Sequence, residues 1–335
     1  MSEPLFKLPA FSDEEQVTFY PAYGYREGTL WKIPMRVWVH EPRALVENVI
    51  ARVAKSLGDL DAKEIDNFKT RIADFVADNE SGEKVVFKFD HDADDEEYRV
   101  QAADGSFPES ERNGLIEGFI TLSEIKAQKL LLSQRSLNNR LTYRAVSQEH
   151  RGSGRIQFIA PQGRSVISDI DDTIKITEIL AGAKAVIRNT FFCDFAAVPG
   201  MAKMYRELGD AAFHYVSGSP YQLYRHLAAF LFKAETGFPE GTFHLKTIRT
   251  NLLSAASWED LQDLVGEHAT FNQKIAQISE IMARFPGRKV ILIGDSGEKD
   301  PEVYREIQKK FPAQVEEIRI RDLNRTRLQG MTIIP

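Results

Sequence analysis

Two textures of apolar and polar positions meet near residue 160. Before it, apolar residues alternate with polar ones. Ile33, Met35, Val37 and Val39 share one parity; Val85, Phe87 and Phe89 repeat the pattern, as do Leu141, Tyr143 and Ala145. A period of two marks strands buried on one face. Helical spacing interrupts this twice, in Leu45, Val46, Val49, Ile50 and Val53, and again in Ile65, Phe68, Ile72, Phe75 and Val76. The acidic stretch 90–97 reads as a loop. The pattern predicts a mostly antiparallel β domain over 1–160, a sandwich with a helical insertion at about 42–78.

After the turn Pro161-Gln162-Gly163-Arg164, apolar runs alternate with helical periodicity. Strands are predicted at 165–170, 212–217, 242–248, 289–294 and 314–320, and helices at 199–208, 220–235, 271–285 and 301–310. The alternation predicts an α/β domain over 161–335, a doubly wound, five-stranded parallel sheet. Ligands bind such sheets beyond the carboxyl ends of the strands. Asp169, Ser217 and Asp295 all fall at or just after predicted strand ends.

Composition narrows the picture only a little. Of 335 residues, 43% are apolar and 27% charged, which fits soluble globular domains. The net charge of -6 gives no general attraction to nucleic acid or anionic lipid. Segment 121–165 departs from that average, with Lys126, Lys129, Arg135, Arg140, Arg144, Arg151, Arg155 and Arg164 against Glu124 and Glu149. It is a solvated basic face or a contact surface for an anionic partner. Cys193 stands alone, so no intrachain disulfide forms. Neither a signal-peptide pattern nor an apolar run of about 18 residues is present, so the expectation is a cytoplasmic protein, with peripheral membrane contact left open.

The chemistry concentrates in Ser168-Asp169-Ile170-Asp171-Asp172-Thr173, where three carboxylates crowd the end of an apolar strand. Such crowding calls for a cation or a protonation partner. Asp169 can serve as nucleophile or metal ligand, Asp171 as general acid and base, and Thr173 as a turn holder. An Asx-type turn or a calcium loop is the plainer alternative, although the glycine of an EF-hand is missing. In Gly294-Asp295-Ser296-Gly297-Glu298-Lys299-Asp300-Pro301 a second apolar strand ends in a carboxylate. There Asp300 reads as a metal-site neighbour or as a helix N-cap. Ser217 and Gly218, after the second strand, can hold a phosphate oxygen, while Ser219 suits a cap. A Gly-x-Ser-x-Gly elbow is absent around Ser217, so a serine-hydrolase reading is weak. Lys274 is the best-placed cation, against the plainer fate of a solvated lysine; Lys246 and Arg249 come next.

In this order, Asp169-Ile170-Asp171-Asp172-Thr173, Ser217, Lys274 and Gly294-Asp295 with Asp300 resemble the four motifs of the haloacid dehalogenase superfamily of phosphatases. A narrower resemblance covers about 160–325. Asp169 to Lys175, Asn189-Thr190-Phe191, Val198-Pro199-Gly200-Met201, Ser217-Gly218-Ser219-Pro220 and Gly294 to Glu302 look like the phosphatidate phosphatases related to the yeast actin-patch protein. Lipin-type enzymes have glycine where this chain has Asp172, so that subgroup fits less well.

The resemblance implies a haloacid dehalogenase-like fold and a Mg²⁺-dependent hydrolysis of phosphatidate. Asp169 would attack phosphorus and Asp171 would shuttle the proton. Asp169, the backbone carbonyl of Asp171 and Asp295 would bind Mg²⁺, with Asp300 behind them. Ser217, Gly218, Thr173 and Lys274 would surround the phosphoryl group. Forty-three residues separate Thr173 from Ser217, and between Ser217 and Lys274 only 251–269 is left over, too short for a folded cap domain. The expected site is therefore open, suited to a headgroup held in a membrane. Alternatives are a phosphatase of another bulky phosphomonoester, such as a phosphoprotein, and a non-catalytic lipid- or protein-binding module.

Overall fold

A computed structural model of the chain describes residues 15–42, 60–136, 138–147, 150–233, 235–248, 270–324 and 328–334. The helix expected around 45–53, Glu149, Arg249 and the 251–269 segment lie outside the described residues. Among the described residues, no helix is long and apolar enough to cross a membrane. The chain divides into two compact units, one taking residues 15–42 and 77–161, the other 60–76 and 162–334.

The β unit holds β1 (Gln16–Phe19), β2 (Ala22–Glu27) and β3 (Leu30–Glu41). Helix α1 (Ala62–Val76) follows β3 in sequence and belongs to the other unit. The β unit continues with β4 (Asp78–Asn79), β5 (Phe87–Phe89), β6 (Leu115–Ser123), helix α2 (Glu124–Ser133), β7 (Arg140–Ala145) and β8 (Ser153–Phe158). The alternation places Ile33, Met35, Val37 and Val39 in the core, none above 3% exposed. The two faces of the expected sandwich belong to one eight-stranded ladder. The reason is β2: Ala22–Gly24 runs parallel to β8, whereas Tyr25–Glu27 pairs antiparallel with β3. Rings then close the core across the bend, with Phe19 4.9 Å from Tyr143 and Trp31 4.8 Å from Phe158 between centroids. Of the basic run, Lys126 is ion-paired at 2.9 Å with both Asp92 and Asp94 and Arg144 with Asp90. These cations offset part of the charge of the acidic 90–97 loop.

The α/β unit carries a parallel sheet in the order β11-β10-β9-β12-β13-β14. Its strands are β9 (Gly163–Ser168), β10 (Ala212–Pro220), β11 (Gly241–Lys246), β12 (Arg288–Asp295), β13 (Val315–Arg321) and β14 (Thr332–Ile334). Among the described residues the sheet has six strands where five were expected, because three residues of β14 are too few to show a period. The helices are α3 (Ala183–Ile187), which runs into a π-helical turn at Arg188–Phe192, then α4 (Met201–Arg206), α5 (Tyr224–Phe232), α6 (Thr270–Arg284) and α7 (Asp300–Lys310).

Helix α1 corrects the sequence-based boundary, which put it in the β domain. Its apolar stripe packs on the π-helical turn, where Phe68 stacks on Phe192 at 4.7 Å. Buried Arg71 donates to the carbonyls of Thr190 at 2.9 Å and Cys193 at 2.7 Å, satisfying acceptors that a helix end leaves open. Asp74 pairs with Arg225 of α5.

Three histidines of this unit are held neutral by burial. His214 is pushed well below its usual range, His226 down to about 4 and His244 down to about 3. For His226, burial dominates over the opposing charge of Asp74. The unfolded chain takes up protons at these positions below pH 6.5 and the folded chain does not. Stability is therefore whole above that value and is lost as pH falls toward 4. His226→Gln is expected to remove on the order of 3 kcal/mol of this acid sensitivity, read as a flatter slope of urea-unfolding free energy against pH between 6.5 and 4.

Candidate active site

Strands β10, β9 and β12 lie side by side at the centre of the sheet, and their carboxyl ends bring the predicted residues together. Asp169 follows β9 and keeps the ladder one residue longer, its N–H donating to Ile293 O at 2.9 Å. Asp295 closes β12, and Ser217 lies within β10. These are buried polar groups, at 1% exposure for Asp169 and 0% for Asp295 and Ser217. Only a compensated charge cluster makes such burial tolerable.

The compensation comes first from Lys274, on α6 and 2% exposed. Its Nζ lies 2.8 Å from Asp169 Oδ1, 2.8 Å from Glu298 Oε2 and 2.7 Å from Asp300 Oδ1. The ammonium is thus locked in its charged form. Burial would lower its proton affinity, but Asp169, Asp300 and Glu298 together raise it well above the usual range. The carboxyls do not share that comfort. Burial, followed by the charges of neighbouring carboxylates, pushes Asp169 and Asp295 well above the ordinary carboxylate range in spite of Lys274. Four carboxyls face one ammonium. Asp169 Oδ2 is buried with no hydrogen-bond partner. One oxygen each from Asp169, Asp295 and Asp300 fall within 4.8 Å of one another. An all-oxygen, buried and under-compensated set of this kind fits a hard divalent cation.

Asp300 is no helix cap. Its oxygens take Lys274 and the N–H of Asp295, the latter at 3.3 Å. Gly294 makes that possible, since a Cβ there would sit 2.3 Å from Asp300 Oδ2. Asp295 Oδ1 accepts the N–H groups of Gly297 at 2.6 Å and Glu298 at 3.1 Å, which folds the loop that brings Glu298 to Lys274. Thr173 Oγ1 reaches Asp295 Oδ2 at 3.5 Å.

Asp171 faces a different set. Lys175 Nζ lies 2.9 Å from its Oδ1, and Thr177 donates to the same oxygen at 2.8 Å. Ser217 and Ser219 donate to Oδ2 at 3.0 and 2.8 Å. Burial alone would raise the proton affinity of this carboxyl. The charge of Lys175 and the bonds from Lys175, Ser219 and Thr177 outweigh it and hold Asp171 well below the usual range. Its side chain stands outside the Asp169–Asp295–Asp300 group.

Asp172, to which the sequence assigns no chemistry, holds the loop. It adopts a left-handed φ of 53°. Its carboxylate accepts the N–H groups of Thr177, Glu178 and Ile179 at 2.8, 2.9 and 2.6 Å. That arrangement sets Thr177 against Asp171. Gly218 passes Thr270 at the start of α6, where a Cβ would come within 2.9 Å of Cγ2. Lys246 ends β11, and it is Lys274 that reaches the carboxylates. Sequence reasoning missed Lys175, Thr177, Ser219 and Glu298. For Lys175 the available signal was a lysine four residues from Asp171 in an apolar setting, flanked by Ile174 and Ile176.

The region that carries this cluster has a recognisable counterpart. Residues 164–322 match the family described as phosphatidate phosphatase APP1, catalytic domain. All of Asp169, Asp171, Ser217, Lys274, Asp295 and Asp300 fall inside the APP1 match, which covers just under half of the chain. Phosphatidate phosphatase APP1 of Saccharomyces cerevisiae is 36% identical over 169 residues, 49% of this chain and 27% of that protein. Uncharacterized protein C29B5.04c of Schizosaccharomyces pombe is 24% identical over 222 residues, 62% of this chain and 34% of its own length. The chain thus spans only 27% and 34% of the lengths of these two curated relatives. A β-glucuronidase structure from Ruminococcus gnavus aligns at 11% identity and a TM-score of 0.20, over 92% of this chain and 44% of that one, which carries no argument.

Proposed function

We propose that the α/β unit is a Mg²⁺-dependent phosphatidate phosphatase of haloacid dehalogenase-like fold, releasing diacylglycerol and inorganic phosphate. The observation that carries this reading is Asp169 Oδ2, a buried carboxylate oxygen without a hydrogen-bond partner at the end of the central strand, in a region matching the APP1 catalytic domain. Such an oxygen is a nucleophile already stripped of water.

In the proposed reaction, Asp169 Oδ2 forms a bond to phosphorus as the bond from phosphorus to the glycerol oxygen breaks. Asp171 gives a proton to the departing alkoxide. In the second step Asp171 takes a proton from water, the water oxygen bonds to phosphorus, and the acyl-phosphate bond to Asp169 breaks. Asp171 starts ionised, paired with Lys175. The substrate supplies the proton it needs, because a phosphomonoester is partly monoanionic near its second pKa of about 6, and its negative charge raises the proton affinity of the adjacent carboxyl. Ser217 and Gly218 would then turn to the phosphoryl oxygens, and Lys274 would balance the charge that Asp169 donates. Asp169, Asp295 and the carbonyl of Asp171 would hold Mg²⁺ with Asp300 behind them. When bound, the cation supplies charge neutralisation on the transferring phosphoryl group.

The substrate implies work at a lipid surface, with peripheral contact rather than a membrane span. Phosphate release from phosphatidate, lysophosphatidate, phosphopeptides and sugar phosphates, each with and without Mg²⁺, tests the reading. Turnover of phosphatidate is expected to exceed that of the soluble esters and to vanish with chelator. Preference for phosphopeptides moves the assignment to a phosphoprotein phosphatase, and no turnover of any ester leaves a binding module.

A further inference from the structure

We propose that Glu15, Glu83 and His150 form a second metal site, within the β unit alone, for a first-row transition metal with the preferences of Zn²⁺. Three separate segments converge there. Glu15 precedes β1, Glu83 lies between β4 and β5, and His150 lies between β7 and β8. Backbone bonds hold each one. Arg151 N donates to Glu15 O at 3.3 Å and Val17 N to Arg151 O at 2.8 Å. Ser110 N donates to Glu83 O at 3.0 Å, and Glu83 N donates to Ser110 Oγ at 2.9 Å.

The imidazole is the telling group. His150 is 3% exposed, and its Nε2 points at two carboxylates, 3.1 Å from Glu15 Oε2 and 3.4 Å from Glu83 Oε2. Despite those distances, Nε2 makes no hydrogen bond. The spacing instead matches coordination: a tetrahedron with bonds of ~2.0–2.1 Å has edges of roughly 3.3–3.4 Å. Nδ1 is occupied by Ser147 Oγ at 2.8 Å, and that oxygen already accepts from Val86 N at 3.3 Å. An outer partner of this kind fixes the ring and leaves Nε2 as the ligand atom. The surroundings are acidic as well. The carboxyl of Glu80 is pushed up by burial and then by Glu15, Glu41, Asp78 and Glu83. The Glu15 and Glu83 side chains are partly exposed, at 26% and 29%, while the Glu15 Oε2 that faces the ring is itself buried.

One nitrogen and two oxygens suit Zn²⁺ better than Mg²⁺, which favours oxygen ligands alone. Bound metal would tie the start of β1 to two loops of the β unit and so stabilise its fold. The donors also separate this site from the phosphatase cluster, which contains no histidine.

The metal-stripped full chain is loaded with Zn²⁺ in excess Mg²⁺, desalted and examined by X-ray absorption and metal analysis. The expected result is imidazole scattering in the zinc shell of the wild type, lost together with one equivalent of zinc in His150→Gln. Glu83→Gln is expected to weaken zinc binding at least tenfold while phosphate release is kept, which separates metal loss from misfolding. Zinc without imidazole scattering overturns the proposal. So does equal zinc content in the wild type and both variants, which would leave Glu15, Glu83 and His150 in contact without a metal.

Discussion

Asp169→Asn is expected to lower phosphate release by at least ~10⁴-fold while leaving the fold intact, since removing a covalent nucleophile typically costs that much or more. The change is nearly isosteric. The amide oxygen still accepts from Lys274 Nζ, which lies 2.8 Å from Oδ1 in the wild type. It removes one negative charge from a buried group whose carboxyl is already pushed above its ordinary range by burial and by Asp300, Glu298 and Asp295. Without metal, the variant is therefore expected to melt no lower than the wild type. Paired assays of phosphate release and thermal unfolding check both halves. Undiminished turnover would remove Asp169 from the role of nucleophile. Lost turnover with a collapsed melting temperature would say only that the residue is structural.

Much of this site was legible because strand ends are legible. Apolar runs that stop abruptly at Asp169 and Asp295 mark buried parallel strands, and the sheet's topology does the rest by setting β9 between β10 and β12. The lysine was readable only as the best-placed of three cations, since a solvated lysine at the start of a helix is the plainer fate. Residues whose roles depend on loop geometry were not readable. Ser219 looks like a cap in sequence and instead donates to Asp171. Glu298 becomes a partner of Lys274 only because Asp295 Oδ1 gathers the N–H groups of Gly297 and Glu298. Asp172 looked like surplus charge, yet it organises three backbone donors. Helix α1 shows the same limit at domain scale. Its stripe of Phe68, Ile72 and Phe75 declares a buried face but not which core will bury it. The partner surface is the π-helical turn at Arg188–Phe192, more than a hundred residues away in sequence.

Lys274→Met is expected to damage stability and activity together, and the two losses respond differently to Mg²⁺. Methionine matches the lysine stem in length and fills its apolar path along α6, so packing is largely preserved. The charge is not. Asp169, Glu298 and Asp300 each lose an ammonium at 2.7–2.8 Å and remain buried. Breaking a buried ion pair from one side typically destabilises by about 3–5 kcal/mol, because the orphaned charge stays behind. The sign of the pH dependence follows from those orphans. Buried carboxyls without a cation bind protons more tightly in the folded chain than in the unfolded one. Their contribution is favourable below the unfolded carboxylate range and is lost as pH rises through the folded values. The deficit of the variant against the wild type should therefore be small in acid and grow toward neutral pH. Mg²⁺ offers the carboxylates another counter-charge and is expected to restore part of the melting temperature at neutral pH. It cannot restore catalysis, because the phosphoryl group would still lack the positive charge opposite the metal. Urea unfolding across pH with and without Mg²⁺, beside phosphate release, reads all of this. A variant as stable as the wild type at neutral pH without Mg²⁺ would mean that the carboxylates do not depend on Lys274 at all.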